Sequence, residues 1–193
     1  MNRDLVKIMG NLAEEAYTTY NEKDSIKDLP YTVLDSIDTS SGFQGYLLQN
    51  DSPAEGKPKY VFAFRGTEAD TLTDWITLEA IKDLFITDFA YMGTGTAPQQ
   101  MKDAMAFIKK MIDDPNLDLT ADNTVCTGHS LGGSLAGMAS YIYGFDAYTY
   151  NGFGIKNMLW DAKDTSAVDH PNELVSIQGD TYDNYQTLGE YLD

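Results

Sequence analysis

A chain of 193 residues is long enough to bury one hydrophobic core, and no break in its composition marks a second domain. Its 30 acidic and 13 basic residues give a formal net charge of −17, which disfavours nucleic acid and anionic membrane surfaces as partners. The single cysteine, Cys126, excludes a disulfide within the chain, and its apolar neighbours predict a buried thiol.

The N-terminal segment lacks the continuous apolar run of a signal peptide. No later segment reaches the roughly 18 apolar residues that a membrane-spanning helix needs. We therefore expect a soluble chain without a membrane span. Localisation stays open between the cytoplasm and secretion with the signal peptide absent from this chain, and the oligomeric state is open as well.

The first predicted elements are a helix and two strands. Apolar residues recur at helical spacing over about residues 3–20 and predict an amphipathic helix that covers the core, with Lys7, Glu14 and Glu15 outside. Residues 31–34 and 42–48 predict two strands joined by a polar connection. The apolar positions of the helix are Leu5, Ile8, Met9, Leu12, Ala13 and Ala16.

The unbroken apolar run 60–64 predicts a central strand that is buried on both faces. It ends in Arg65-Gly-Thr67, and an amide freed by this glycine turn can point into the space beyond the strand. Thr67 N–H is therefore one candidate donor to an anion formed there. We interpret Arg65 as part of a structural ion pair near the strand end, and residues 70–75 as a capped helix start with Trp75 in packing.

Residues 81–97 mix apolar side chains with aspartate and glycine, which leaves two interpretations open. The segment is either a mobile cover over an active site or an irregular surface connection. Pro98 then begins a clear helix. Its predicted apolar face consists of Met101, Ala104, Met105, Ile108, Met111 and Ile112.

The most informative stretch is 123–136, in which a short apolar strand runs through Gly-His-Ser-Leu-Gly into a helix of small residues. This pattern predicts a nucleophile elbow around Ser130. Gly128 and Gly132 would supply the space that such a sharp turn needs. Gly132, Gly133 and Gly137 each cost the helix about 1 kcal/mol relative to alanine, and close packing of the helix on the strand would explain them. Leu131 N–H is the second candidate donor to an anion.

Two further strands are predicted at 147–150 and 173–178, and residues 155–172 are polar and irregular. Asp180 follows the last predicted strand, so in a parallel sheet its carboxylate shares an edge with Ser130. Asp183 is the alternative acid. Strands alternate with helices, which predicts an α/β fold with a mainly parallel sheet and helices on both faces.

Taken together, these motifs resemble those of the class 3 lipases of the α/β-hydrolase superfamily. The resemblance runs through most of the chain, which we therefore interpret as a single α/β-hydrolase domain. It implies that Ser130 is the nucleophile, that Thr67 and Leu131 form the oxyanion hole, and that Asp180 is the acid. The segments that carry it are 12–17, 62–67, 74–75, 128–133 and 150–154.

The sequence departs from this family in its general base, because a histidine should follow the acid and none follows Asp180. His129 adjoins the nucleophile, where its side chain points elsewhere, and we expect it to pack or to form hydrogen bonds. His170 precedes a strand that should place it roughly 20 Å from the acid's end of the sheet. We therefore expect a C-terminal segment carrying the base to be missing from this chain.

The leading hypothesis is a serine hydrolase that cleaves carboxylic esters of lipids or small molecules through an acyl-enzyme, without a metal or organic cofactor. Asp161, Asp164 and Asp169 suggest calcium only weakly, and a solvated loop is the better interpretation. The alternative hypothesis is an inactive hydrolase fold that serves as a binding or interaction module. Acyl transfer to an acceptor other than water uses the same residues.

Overall fold

The computed structural model describes residues 2–53, 57–66, 99–152, 174–177 and 185–186. Within these ranges the chain forms three helices and seven strands. In chain order they are α1 Arg3–Glu15, β1 Tyr31–Asp38, β2 Gln44–Asn50, β3 Tyr60–Phe64, α2 Gln99–Ile112, β4 Thr124–His129, α3 Leu131–Tyr143, β5 Asp146–Tyr150, β6 Leu174–Ile177 and β7 Tyr185–Gln186.

The seven strands form one sheet in which their spatial order equals their order along the chain. The four central strands, β3 to β6, are mutually parallel. The edges are antiparallel: β2 pairs with both β1 and β3, and β7 pairs with β6. Five of the seven described strands therefore run in one direction, which confirms the predicted mostly parallel α/β sheet. The two-residue strand β7 was not predicted.

Helices cover both faces of the sheet because side chains alternate along each buried strand. On β3, Phe62 and Phe64 point into a cluster shared with α2 and α3, whereas Val61 and Ala63 point into a cluster shared with α1. All five residues of β3 are buried, as the apolar run predicted. The sheet thus has a core on each side, as expected for a domain of this layered type.

Helix α1 begins at a cap, since the Asn2 side chain accepts from the backbone amides of Asp4 and Leu5. Its predicted apolar face is buried, apart from the half-buried Ile8. The prediction that the helix extends to about residue 20 was wrong, because it ends at Glu15. The following residues leave the helix, and Tyr17 makes a tertiary hydrogen bond with His129 that overrides local helix propensity.

Helix α2 also differs from its predicted face at two positions. Ile112, which the prediction placed on the apolar face, is 37% exposed at the last helical position. Phe107, which the prediction omitted, is buried and packs edge-on against Phe62 with ring centres 5.9 Å apart. Met101 and Met111 are buried, as predicted for packing residues.

Several predictions fall wholly or partly outside the described residues. They are the helix start at 70–75, the proposed cover at 81–97, the polar segment 155–172 and the ends of the strand predicted at 173–178, of which β6 is the described part. Cys126 lies within the described residues and is fully buried as a free thiol, as its neighbours predicted.

Candidate active site

Ser130 occupies the single position between β4 and α3, so the chain changes from strand to helix at this residue. Its backbone has φ 56° and ψ −123°, a conformation that residues other than glycine rarely adopt. Two hydrogen bonds hold it there: Ser130 N–H donates to the Tyr150 carbonyl at 2.9 Å, and Ser134 N–H donates to the Ser130 carbonyl at 3.2 Å. The strand-to-helix turn predicted around this serine is therefore observed, with a strained backbone at its centre.

The glycines on either side of Ser130 are required by close backbone contacts. A β-carbon at residue 128 would overlap the backbone of Gly132, and one at residue 132 would overlap the carbonyl of Phe64 on β3. A β-carbon at residue 133 would lie 3.0 Å from the Gly128 oxygen. The tight packing of α3 against the sheet therefore needs these glycines, as the sequence predicted.

The turn after β3 lies directly beside the elbow. A β-carbon built on Gly66 would lie 3.3 Å from Cβ of Ser130 and would overlap the His129 carbonyl. The structure thus brings Gly66 next to Ser130 and Leu131. Thr67, the predicted oxyanion donor that follows Gly66, lies outside the described residues, whereas Leu131 begins α3.

A cavity of about 320 Å³ opens beside these two turns. Its lining includes Gly66 and Leu131 from these turns, together with the polar residues Gln44, Arg65 and Gln100. A ligand in this cavity would contact both turns of the candidate site and several hydrogen-bonding groups.

Arg65 makes structural contacts directly after β3. Its guanidinium donates to the Gln44 side chain and lies 6.0 Å from the centre of the Tyr17 ring. Gln44 in turn donates to the Tyr46 hydroxyl at 2.9 Å, and that hydroxyl donates to the Thr18 carbonyl at 2.9 Å. These contacts connect the β3 turn to the segment after α1.

His129 is half-buried on the α1 side of the sheet, where Nδ1 shares a hydrogen bond of 3.1 Å with the Tyr17 hydroxyl. Burial lowers the pKa of His129, and the carboxylate of Glu14 opposes that shift. Burial raises the pKa of Tyr17, against a backbone hydrogen bond from Gly66 and the positive charge of Arg65. The packing and hydrogen bonding expected of His129 are therefore observed.

The C-terminal ends of three neighbouring strands meet at the candidate site. His129 on β4 is in register with Tyr150 on β5, and Tyr150 is in register with Ile177 on β6. Two spacings between strands separate β4 from β6, a distance of about 10 Å. The acids predicted after β6, Asp180 and Asp183, and the second histidine, His170, lie outside the described residues.

The described residues offer no group of three or more histidine, cysteine, aspartate or glutamate side chains that could hold a metal ion. The three aspartates weighed for calcium, Asp161, Asp164 and Asp169, lie outside the described ranges. Among helices that the structure describes, none is long and apolar enough to cross a membrane.

Sequence reasoning missed the association of Tyr17 with this site. The pair Tyr17 and His129 is separated by 112 positions, so no local pattern connects them. One signal was available: Tyr17 ends the segment 12–17, which is part of the family resemblance. That resemblance assigned no role to any side chain of the segment.

The sheet, its covering helices and the strained serine between β4 and α3 define an α/β-hydrolase fold of the lipase type. The chain belongs to the family of Tle-like phospholipase domains, whose model matches residues 9–193 and is described as phospholipase-like. The resemblance to lipases drawn from the motifs is thereby confirmed.

Two further comparisons add little to this assignment. A crystal structure of a triacylglycerol lipase from Penicillium expansum is similar over 95% of this chain and 82% of that chain, with 16% sequence identity and a TM-score of 0.43. A likeness at that level carries no argument about function. No curated protein matches the chain.

Proposed function

We propose that this domain hydrolyses the carboxylic acyl esters of lipids, phospholipids in particular, through an acyl-enzyme on Ser130. The observation that carries the proposal is the strained backbone of Ser130, held beside the Gly66 turn. A protein that maintains such a conformation in a serine needs a compensating reason, and presentation of a nucleophile is the usual one. Membership of a phospholipase-like family supports lipid esters as substrates.

In the proposed reaction, Ser130 Oγ attacks the ester carbonyl carbon while its proton passes to a general base. The carbonyl oxygen becomes an anion, which the amides of Leu131 and Thr67 would bind. The tetrahedral intermediate expels the alcohol, which takes up the proton, and leaves the acyl group on Ser130. Water then attacks this acyl-enzyme in the same way and releases a fatty acid.

Asp180 is the proposed acid that orients the base. The position of β6 supports it, because Ile177 is in register with Tyr150 and hence with the strand that leads to Ser130. A histidine between a carboxylate and a serine must span two hydrogen bonds of about 2.8 Å and its own ring. The separation of about 10 Å between β4 and β6 leaves room for this arrangement. We do not assign the base to His129, because its ring lies beside α1, in a pocket with Ala13 and Tyr17, and its Nδ1 bonds to a tyrosine hydroxyl and not to a carboxylate.

The test is hydrolysis of dioctanoyl phosphatidylcholine, followed by chromatography of the products. Free octanoate and lysophosphatidylcholine are expected, since the proposed chemistry cleaves the carboxylic ester. Release of phosphocholine would instead indicate attack at the phosphodiester and would contradict the proposal.

The matched variants are Ser130→Ala and Ser140→Ala, which each remove one buried serine hydroxyl from the same part of the chain. Loss of turnover and of fluorophosphonate labelling is expected in Ser130→Ala only. Absence of both in the unmodified protein, on phosphatidylcholine and on p-nitrophenyl esters of short and long chains, would favour a non-catalytic binding module.

A further inference from the structure

Tyr17 lies at the junction of the two turns that flank the candidate site. Its hydroxyl shares a hydrogen bond of 3.1 Å with His129 Nδ1, one residue before Ser130. The same hydroxyl lies against Gly66, since a β-carbon built at residue 66 would overlap it. One side chain after α1 therefore contacts both the end of β4 and the turn after β3.

The donors and acceptors at this junction fit a single chain of hydrogen bonds. The Gly66 backbone contributes a hydrogen bond that lowers the pKa of Tyr17, which is the effect of an N–H donor on the phenolic oxygen. The Tyr17 O–H is then free to donate to His129 Nδ1, provided that the imidazole is neutral. Burial of the ring favours the neutral form.

The Tyr17 ring is itself held in place. Arg65 lies 6.0 Å from its centre, and the ring is 6.1 Å from that of His129. Arg65 also donates to Gln44 on β2, so the side chain that packs over Tyr17 is fixed to the sheet. A fixed hydroxyl at this point sets the distance between the two turns.

We infer that Tyr17 is a positioning residue that holds the Gly66 turn and the Ser130 turn at a fixed separation. The inference rests on the proposed function, in which the two amides that bind the oxyanion belong to these two turns. Tyr17 touches neither substrate nor reacting atoms in this scheme. It acts by keeping two donors at the spacing that the transition state requires, without reorganisation during the reaction.

The first test compares Tyr17→Phe with Tyr20→Phe in the hydrolysis of dioctanoyl phosphatidylcholine. Tyr20 is a matched control, because its hydroxyl also donates a part-buried hydrogen bond to a side chain, that of Glu15, within the same segment. Removal of one oxyanion donor costs about 10²–10³ in kcat, and displacing one should cost less. We expect Tyr17→Phe to lower kcat about tenfold with KM within about twofold, and Tyr20→Phe to leave both unchanged.

A second measurement separates positioning from a general loss of structure. An alkyl boronic acid binds the serine as a tetrahedral anion, whereas octanoate binds only as a product. Tyr17→Phe should weaken boronate inhibition by the same factor as kcat and leave octanoate inhibition unchanged. Equal weakening of both inhibitors would overturn the inference, as would a fall of kcat in Tyr20→Phe equal to that in Tyr17→Phe.

The partner variant His129→Gln tests the same contact from its other end. It should lower kcat by about the same factor as Tyr17→Phe, and the double variant should lose little more, because both remove one connection. Multiplied losses in the double variant would contradict the inference. If the unmodified protein has no esterase activity, the proposed function fails and the inference with it; if it is active and Tyr17→Phe matches it, only the inference fails.

Discussion

The carbonyl of Phe64 lies so close to the α-carbon of Gly132 that a β-carbon at residue 132 would overlap its oxygen. Phe64 ends β3 and Gly132 lies in the first turn of α3, so this contact fixes the helix against the strand beside the elbow. The same approach keeps Leu131 N–H close to the turn after β3. The geometry of the candidate site therefore depends on the absence of one methyl group.

The Gly132→Ala substitution should consequently destabilise the domain. Helix propensity alone favours alanine by about 1 kcal/mol, so a stabilising result is the default for a glycine in a helix. Overlap with the Phe64 carbonyl reverses the sign, and we expect a loss of about 3 kcal/mol or more in the free energy of unfolding. Urea denaturation measures this loss. The control Ala139→Gly in the same helix should cost about 1–2 kcal/mol, and a stabilised Gly132→Ala would contradict the described packing.

The elements predicted best from sequence are those whose own composition determines them. The apolar run at 60–64 could only be a buried strand, and Gly144 ends α3 in the left-handed conformation that glycine favours. The elbow was predictable for the same reason, because strand, serine, glycines and helix lie within one short stretch. The positive φ of Ser130 belongs to a turn that is complete within five consecutive residues, so a short sequence motif can predict it.

The elements that sequence failed to predict depend on distant parts of the chain. Helix α1 ends at Glu15 because Tyr17 bonds to His129, a contact between residues 112 positions apart. Strand β7 has two residues, too few for any alternating pattern, and its pairing with Ser176 and Ile177 is a property of the sheet. The pairing of Tyr17 with the Gly66 turn is of the same kind.

Two buried threonines on neighbouring strands differ in a way that predicts opposite mutational effects. Thr127 on β4 has its hydroxyl 2.9 Å from the Met9 carbonyl and 3.1 Å from the Tyr148 carbonyl. Thr149 on β5 is equally buried, yet its hydroxyl has no hydrogen-bond partner among the described residues. An unpaired buried hydroxyl costs free energy, whereas a paired one contributes to stability.

We therefore expect Thr149→Val to stabilise the domain by about 1 kcal/mol and Thr127→Val to destabilise it by about 1–2 kcal/mol. Both substitutions keep the shape and burial of the side chain, so each serves as the control for the other. Thermal and urea unfolding of the two variants measure the difference. Equal destabilisation by both would mean that the Thr149 hydroxyl is paired in solution.

The pKa of His129 predicts a dependence of stability on pH. Because burial lowers this pKa in the folded state, the unfolded chain binds a proton more readily below the ordinary value of about 6.5. Stability contributed by the neutral ring is thus complete above that pH and is lost as the pH falls towards the folded pKa. The groups that face the ring are Tyr17, which holds Nδ1, and Glu14, which only partly opposes the shift.

The measurement is the free energy of unfolding at pH 7.5, 6.5, 5.5 and 5.0 for the unmodified protein and for His129→Gln. The unmodified protein should lose more stability over this range, because the variant lacks the titrating ring. Carboxylates contribute to both curves alike, so the difference between them reports on residue 129. Parallel curves would show that the ring protonates equally in both states.

The charge of the chain predicts a preference among lipid surfaces if the domain acts on phospholipids as proposed. A net charge of −17 repels an anionic surface, and salt screens that repulsion, with a Debye length of about 30 Å at 0.01 M and 3 Å at 1 M. Hydrolysis of phosphatidylcholine vesicles should therefore exceed that of phosphatidylglycerol vesicles severalfold at low salt, and the difference should narrow as sodium chloride is added. A soluble p-nitrophenyl ester, which presents no charged surface, controls for effects of salt on the chemistry. Faster hydrolysis of the anionic vesicles at low salt would mean that a local basic contact outweighs the overall charge.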